Sequence, residues 1–86
     1  MKSEQAIQTK IKKKLEADGW LVVKLIKTSM NGIPDFMCLK EGKTMFIEVK
    51  TENGVVSPLQ LERKRQLEAQ GFECKIWIDY ERAYHK

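Results

Sequence analysis

Between Asp35 and Lys50, two short β-type stretches flank Lys40-Glu41-Gly42-Lys43, the most hairpin-like turn in the chain. A tip at Glu41-Gly42 pairs Lys40 with Lys43, and stepping back along both strands brings Asp35 opposite Glu48. A bulge or a three-residue loop would shift this pairing by one and still leave the two carboxylates near each other. Side chains alternate along Phe46-Ile47-Glu48-Val49-Lys50, so Glu48 and Lys50 share one face and Ile47 and Val49 the other. Two acids and an amine are thereby gathered at the open end of one hairpin.

The elements around this hairpin follow from periodicity. Ile7, Ile11 and Leu15 recur every four residues, Ser3 can cap the start and Gly19 ends the run, which predicts a helix over 3–18. The β-branched and large apolar run 20–27 reads as a strand buried on both sides. Ser57-Pro58-Leu59-Gln60 is a strong helix start, with a capping Ser, Pro at the first helical position and Gln three residues after the cap. That helix should run to Gln70, with Gly71 as its stop. A last strand is expected over 72–78 and a short terminal helix over 79–85. The order is α-β-β-β-α-β, an α/β fold with a mixed sheet, and 86 residues without a Pro- or Ser-rich linker read as one domain over 1–86.

Charge and cysteine content narrow the function. Residues 1–27 carry seven lysines against Glu4, Glu16 and Asp18, which accounts for the whole net charge of +4. A basic N-terminal element on a neutral body suits a phosphate backbone, with Lys10, Lys12, Lys13 and Lys14 as candidate contacts. Lys64, one turn after Gln60 on a weakly amphipathic helix, is a further candidate, although a snorkelling lysine is the commoner case. No apolar run approaches the roughly 20 residues needed to cross a membrane, and a cytoplasmic location is expected. Cys38 and Cys74 have no metal-binding spacing and read as two partly buried free thiols. So small a chain buries little surface, which makes a homodimer attractive.

Opposed carboxylates destabilise a hairpin unless something neutralises them. A divalent cation does so, and an all-oxygen set of Asp35, Glu48 and the Val49 carbonyl suits Mg²⁺ or Mn²⁺, which share ligation with phosphate oxygens. Lys50 beside the cation would orient a water or stabilise developing negative charge. Glu4 lies in register with Ile7, Ile11 and Leu15, at the end of the core-facing stripe, where a charge needs a partner. Each feature has a plainer reading. Glu-x-Lys is common on exposed strands, a first-turn Glu suits the helix dipole, and Gln60 completes a capping box.

Taken together, Glu4, Gly32-Ile33-Pro34-Asp35, Ile47-Glu48-Val49-Lys50 and Ser57-Pro58-Leu59-Gln60 resemble the PD-(D/E)xK nuclease signature, and more specifically the VRR-NUC domain, the virus-type replication-repair nuclease module. The 12 residues between Asp35 and Glu48 make this pair of motifs specific where Glu-x-Lys alone is weak. The resemblance implies a restriction-endonuclease-like core and Mg²⁺- or Mn²⁺-dependent phosphodiester hydrolysis. It implies Asp35 and Glu48 as metal ligands, Lys50 as the catalytic lysine, Glu4 as a helix-borne acid serving a second metal or a water, and Gln60 as the motif glutamine. Free-standing members resemble Holliday junction resolvases that act as homodimers, so branched DNA, in particular a four-way junction, is the expected partner. Arg63 and Lys64 depart from the family, which usually places larger apolar residues there. The rival class is a non-catalytic DNA-binding or assembly module that keeps the fold without cutting.

Overall fold

The computed structural model describes residues 2–85. Helix α1 (Glu4–Ala17) starts where the Ser3 hydroxyl accepts the Ala6 N–H at 3.1 Å and stops at Gly19, whose φ of +95° turns the chain out of the helix. Its stripe of Ile7, Ile11 and Leu15 is buried, as the periodicity predicts. Strands β1 (Leu21–Lys24), β2 (Phe36–Lys40) and β3 (Lys43–Val49) form an antiparallel meander. Helix α2 (Pro58–Ala69) then carries the chain over to β4 (Glu73–Asp79), which lies parallel to β3, and β5 (Arg82–Ala83) adds an antiparallel edge. The result is one mixed sheet in the order β1-β2-β3-β4-β5.

The β2–β3 register follows the turn. Glu41 and Gly42 both have positive φ, +50° and +79°, the conformation of a two-residue hairpin turn whose twist matches the strands. Lys40 pairs with Lys43 and Phe36 with Ile47. One further step places Asp35 opposite Glu48, as the sequence predicts.

This register sorts the two faces of the sheet. Val22, Phe36, Cys38, Met45, Ile47, Val49 and Trp77 meet the α1 stripe in the core, with Trp20 and Tyr80 packed against it. The opposite side carries Phe46, Glu48 and Cys74 beneath α2, which buries none of its own residues. Both cysteines are buried free thiols, as expected.

Two expectations are corrected. The strand expected over 20–27 is only four residues long and is not buried on both sides: β1 is an edge strand, Leu21 is 63% exposed and Ile26 84% exposed. An alternation of apolar residues predicts a strand but not its place in the sheet, and α1 covers only one face here. The helix expected over 79–85 is instead a turn into β5, with Glu81 at φ +55° and the Tyr84 N–H donating to the Ile76 carbonyl at 2.9 Å. A seven-residue segment is too short to sustain a helix by itself, whereas the open edge of β4 offers it ladder bonds at once.

Candidate active site

The sheet end where β2 begins and β3 finishes gathers the charges. One carboxylate oxygen each from Glu4, Asp35 and Glu48 lies within 4.8 Å of the others. Glu4 reaches the cluster from the first turn of α1, and the helix stripe that buries Ile7 and Ile11 aims it there. Asp35 precedes β2 and is held by the Val49 N–H, which donates to its Oδ2 at 2.7 Å. Glu48, only 6% exposed, stands on β3.

Glu48 is held from two sides. Lys50 Nζ lies 3.6 Å from its Oε2, the contact expected of alternate residues on one strand face. Gln60 Nε2 donates to the same oxygen at 3.2 Å. The other end of the Gln60 amide accepts the Ser57 N–H at 3.0 Å while the Ser57 hydroxyl accepts the Gln60 N–H at 3.1 Å, so the capping box is complete. The structural and functional readings of Gln60 therefore do not compete, because one amide serves both.

The register also decides where the Val49 carbonyl points. In an antiparallel ladder the N–H and C=O of one residue point toward the same neighbouring strand. The Lys50 N–H points to β4, donating to the Trp77 carbonyl at 2.9 Å, so Val49 turns its N–H and C=O toward β2, where its N–H meets Asp35. Continuing the pairing places Pro34 opposite Val49, and proline has no N–H to give that carbonyl.

Burial and like charge set the protonation of the cluster. Burial first, then the negative charge of Asp35, pushes Glu48 from an ordinary value of 4.5 to about 8, with Lys50 opposing. Burial also raises Asp35, against the pull of the Val49 N–H bond and the charges of Lys50 and Lys24. Near neutral pH, in the absence of a cation, the cluster thus holds a proton on Glu48. An all-oxygen set of three crowded carboxylates with one lysine fits a hard divalent cation, whose charge replaces that proton.

The remaining candidates fall in different places. Lys12 and Lys13 line a groove of about 300 Å³ between α1 and β1, together with Gln5, Gln8 and Lys24. Lys14 is exposed in the last turn of α1. Lys10 is bound to Asp79 at 3.0 Å and Lys64 to Glu68 at 2.8 Å, so these two ammonium groups already have protein partners. Sequence reasoning missed Lys24, whose charge acts on Asp35, because it sits in a run read as strand core. It also missed Arg63, whose Nε donates to the Asn31 carbonyl at 2.8 Å and ties α2 to the loop before Asp35. That unexpected arginine braces the loop that leads to Asp35.

A carboxylate trio, a strand lysine two residues after its acid and a helix-borne glutamine, set on a mixed sheet between two helices, define a nuclease core of the PD-(D/E)xK type. The VRR-NUC domain model matches residues 1–77, and the chain belongs to that family. A solved structure described as a VRR_NUC domain superposes with a TM-score of 0.80 at 31% identity, covering 91% of this chain and 86% of its own. A search of curated proteins finds no match.

Proposed function

We propose that the protein is a metal-dependent, structure-selective DNA endonuclease that hydrolyses phosphodiester bonds in branched DNA, of the Holliday junction resolvase kind, acting as a homodimer in the cytoplasm. The convergence of Glu4, Asp35 and Glu48 within 4.8 Å carries this reading. Holding a buried, a half-buried and an exposed carboxylate this close together is unfavourable in a protein that only binds DNA, whose phosphates they repel.

Asp35, Glu48 and the Val49 carbonyl hold Mg²⁺ or Mn²⁺, with Glu4 serving a second ion or a water. The cation supplies Lewis-acid polarisation of the phosphodiester. Lys50 orients the attacking water and offsets the negative charge that develops on the phosphate. Gln60 fixes the rotamer of Glu48 through its bond to Oε2. Lys12, Lys13 and Lys14 hold the backbone, with Lys10 and Lys64 joining only by exchanging Asp79 and Glu68 for phosphate.

The homodimer rests on surface left open. Leu21 and Phe72 are exposed on the side of the sheet that α2 covers incompletely, and a second copy would bury them. Two sites related by a twofold axis suit paired cuts in a symmetric junction.

The test is cleavage of a labelled four-way junction beside linear duplex, flap and single strand, in Mg²⁺ and in Mn²⁺, with Glu48→Ala as control. Junction-selective cutting abolished by the substitution supports the reading. Binding without any cutting overturns it in favour of the non-catalytic module.

A further inference from the structure

The segment joining β1 to β2 is held rigid yet presents apolar side chains to solvent. At its root the Leu25 N–H donates to the Asp35 carbonyl at 2.8 Å. At its far side the Asn31 carbonyl accepts from Arg63 Nε at 2.8 Å, and the Thr28 hydroxyl donates to the Met30 carbonyl at 2.7 Å. Gly32, at φ +81°, lies so close to α2 that a Cβ there would stand 2.8 Å from Leu59 Cγ. Such bracing ordinarily accompanies burial of a loop's apolar residues. Here Ile26 is 84% exposed and Met30 45% exposed, and both line one cleft of about 280 Å³.

The position restricts what covers them. Ile26 follows directly on Leu25, which is bonded to the backbone of the metal-site residue Asp35. Lys24 and Lys27 flank Ile26, and Lys24 acts electrostatically on Asp35. An occupant must therefore be anionic and also offer an apolar face within reach of the carboxylates. DNA has this combination only where stacking is interrupted, because in continuous duplex each base face is covered by its neighbour.

We propose that Ile26 and Met30 form an apolar wedge that enters an opened base step at a DNA branch point and so selects which phosphodiester reaches Asp35 and Glu48. The inference rests on the nuclease reading above and adds to it the element that reads the branch. Lys24 and Lys27 hold the phosphates on either side of the opened step.

The experiment compares the wild-type protein with the Ile26→Ser/Met30→Ser double variant on a four-way junction carrying 2-aminopurine at the branch, and on matched linear duplex. Binding is read by 2-aminopurine fluorescence in Ca²⁺ and cleavage in Mn²⁺. Wild-type binding should raise the branch fluorescence, the double variant should lose that rise, and its junction-to-duplex cleavage ratio should fall about tenfold. An unchanged ratio, or no fluorescence rise with the wild type, overturns the wedge. So does sedimentation of the double variant at half the wild-type mass, which makes the loop an interface between copies. If the wild type cuts nothing, the nuclease reading fails while the fluorescence still decides the wedge.

Discussion

Gln60 joins the start of α2 to Glu48 through the two ends of one amide: its oxygen accepts the Ser57 N–H at 3.0 Å and its nitrogen donates to Glu48 Oε2 at 3.2 Å. Helix initiation and carboxylate orientation are thereby the same structural event. The capping box fixes the first turn of α2, and that turn in turn fixes the rotamer of the buried acid.

Ser57→Ala and Gln60→Ala separate these roles. Each should lower stability by about 1 kcal/mol through the lost cap. Only Gln60→Ala should also weaken Mn²⁺ binding, by roughly tenfold, since it alone frees Glu48. Thermal melts and calorimetric titration with Mn²⁺ measure the two effects, and equal Mn²⁺ affinities in the two variants would refute the coupling.

The proton on Glu48 predicts a pH dependence. Folded protein retains it up to about pH 8, whereas the unfolded chain releases it near 4.5. In this interval the folded state binds more protons, so in chelator the contribution of this group to stability declines as pH rises and levels off above about 8. Mn²⁺ bound at the proposed site would have to displace the same proton, so its affinity should climb by up to about tenfold per pH unit below that value. Titrations between pH 6 and 9 with proton-release measurements test this, and a flat affinity profile would contradict it.

Asp35 carries a structural bond in addition to its charge. Asp35→Ala strands the Val49 N–H and should cost roughly 1–3 kcal/mol, whereas Asp35→Asn keeps an acceptor oxygen and should remain near wild-type stability. Both should abolish Mn²⁺ binding. Chemical denaturation of the two variants distinguishes the structural from the proposed ligating contribution.

Gln8 is buried one turn along α1 from Glu4, and its amide oxygen has no hydrogen-bond partner among the described residues. Gln8→Met removes an unsatisfied buried acceptor at similar volume and should raise stability by about 1 kcal/mol. A loss of stability in the melt would show that the amide is satisfied in solution.

At the closed end of the hairpin, Glu41 adopts φ +50°, a conformation that favours Asn or Gly. Glu41→Asn should stabilise by roughly 0.5–1 kcal/mol without altering the proposed nuclease activity, because the turn lies at the far end of β3 from Glu48. Paired melting and cleavage assays check both halves of this expectation.

The hairpin turn and strand alternation placed Asp35 against Glu48 and Lys50 beside it, since those relationships depend only on chain direction and a two-residue period. Helical period likewise aimed Glu4 along the buried stripe, and local capping chemistry set the start of α2. What lay beyond local rules was where each element sits. Run 20–27 had the composition of a central strand and became an edge, the residues after Asp79 extended the sheet instead of coiling, and Arg63 left the pattern of its helix to brace a loop more than thirty residues earlier. The same holds for the chemistry of the site. Three carboxylates were visible as separate letters, but the raised affinity of Glu48 for its proton comes from burial and from the charge of Asp35, and both depend on the whole sheet closing around them. Local sequence thus determined which groups face which side of each element, while only the tertiary structure decided how far water is excluded from them.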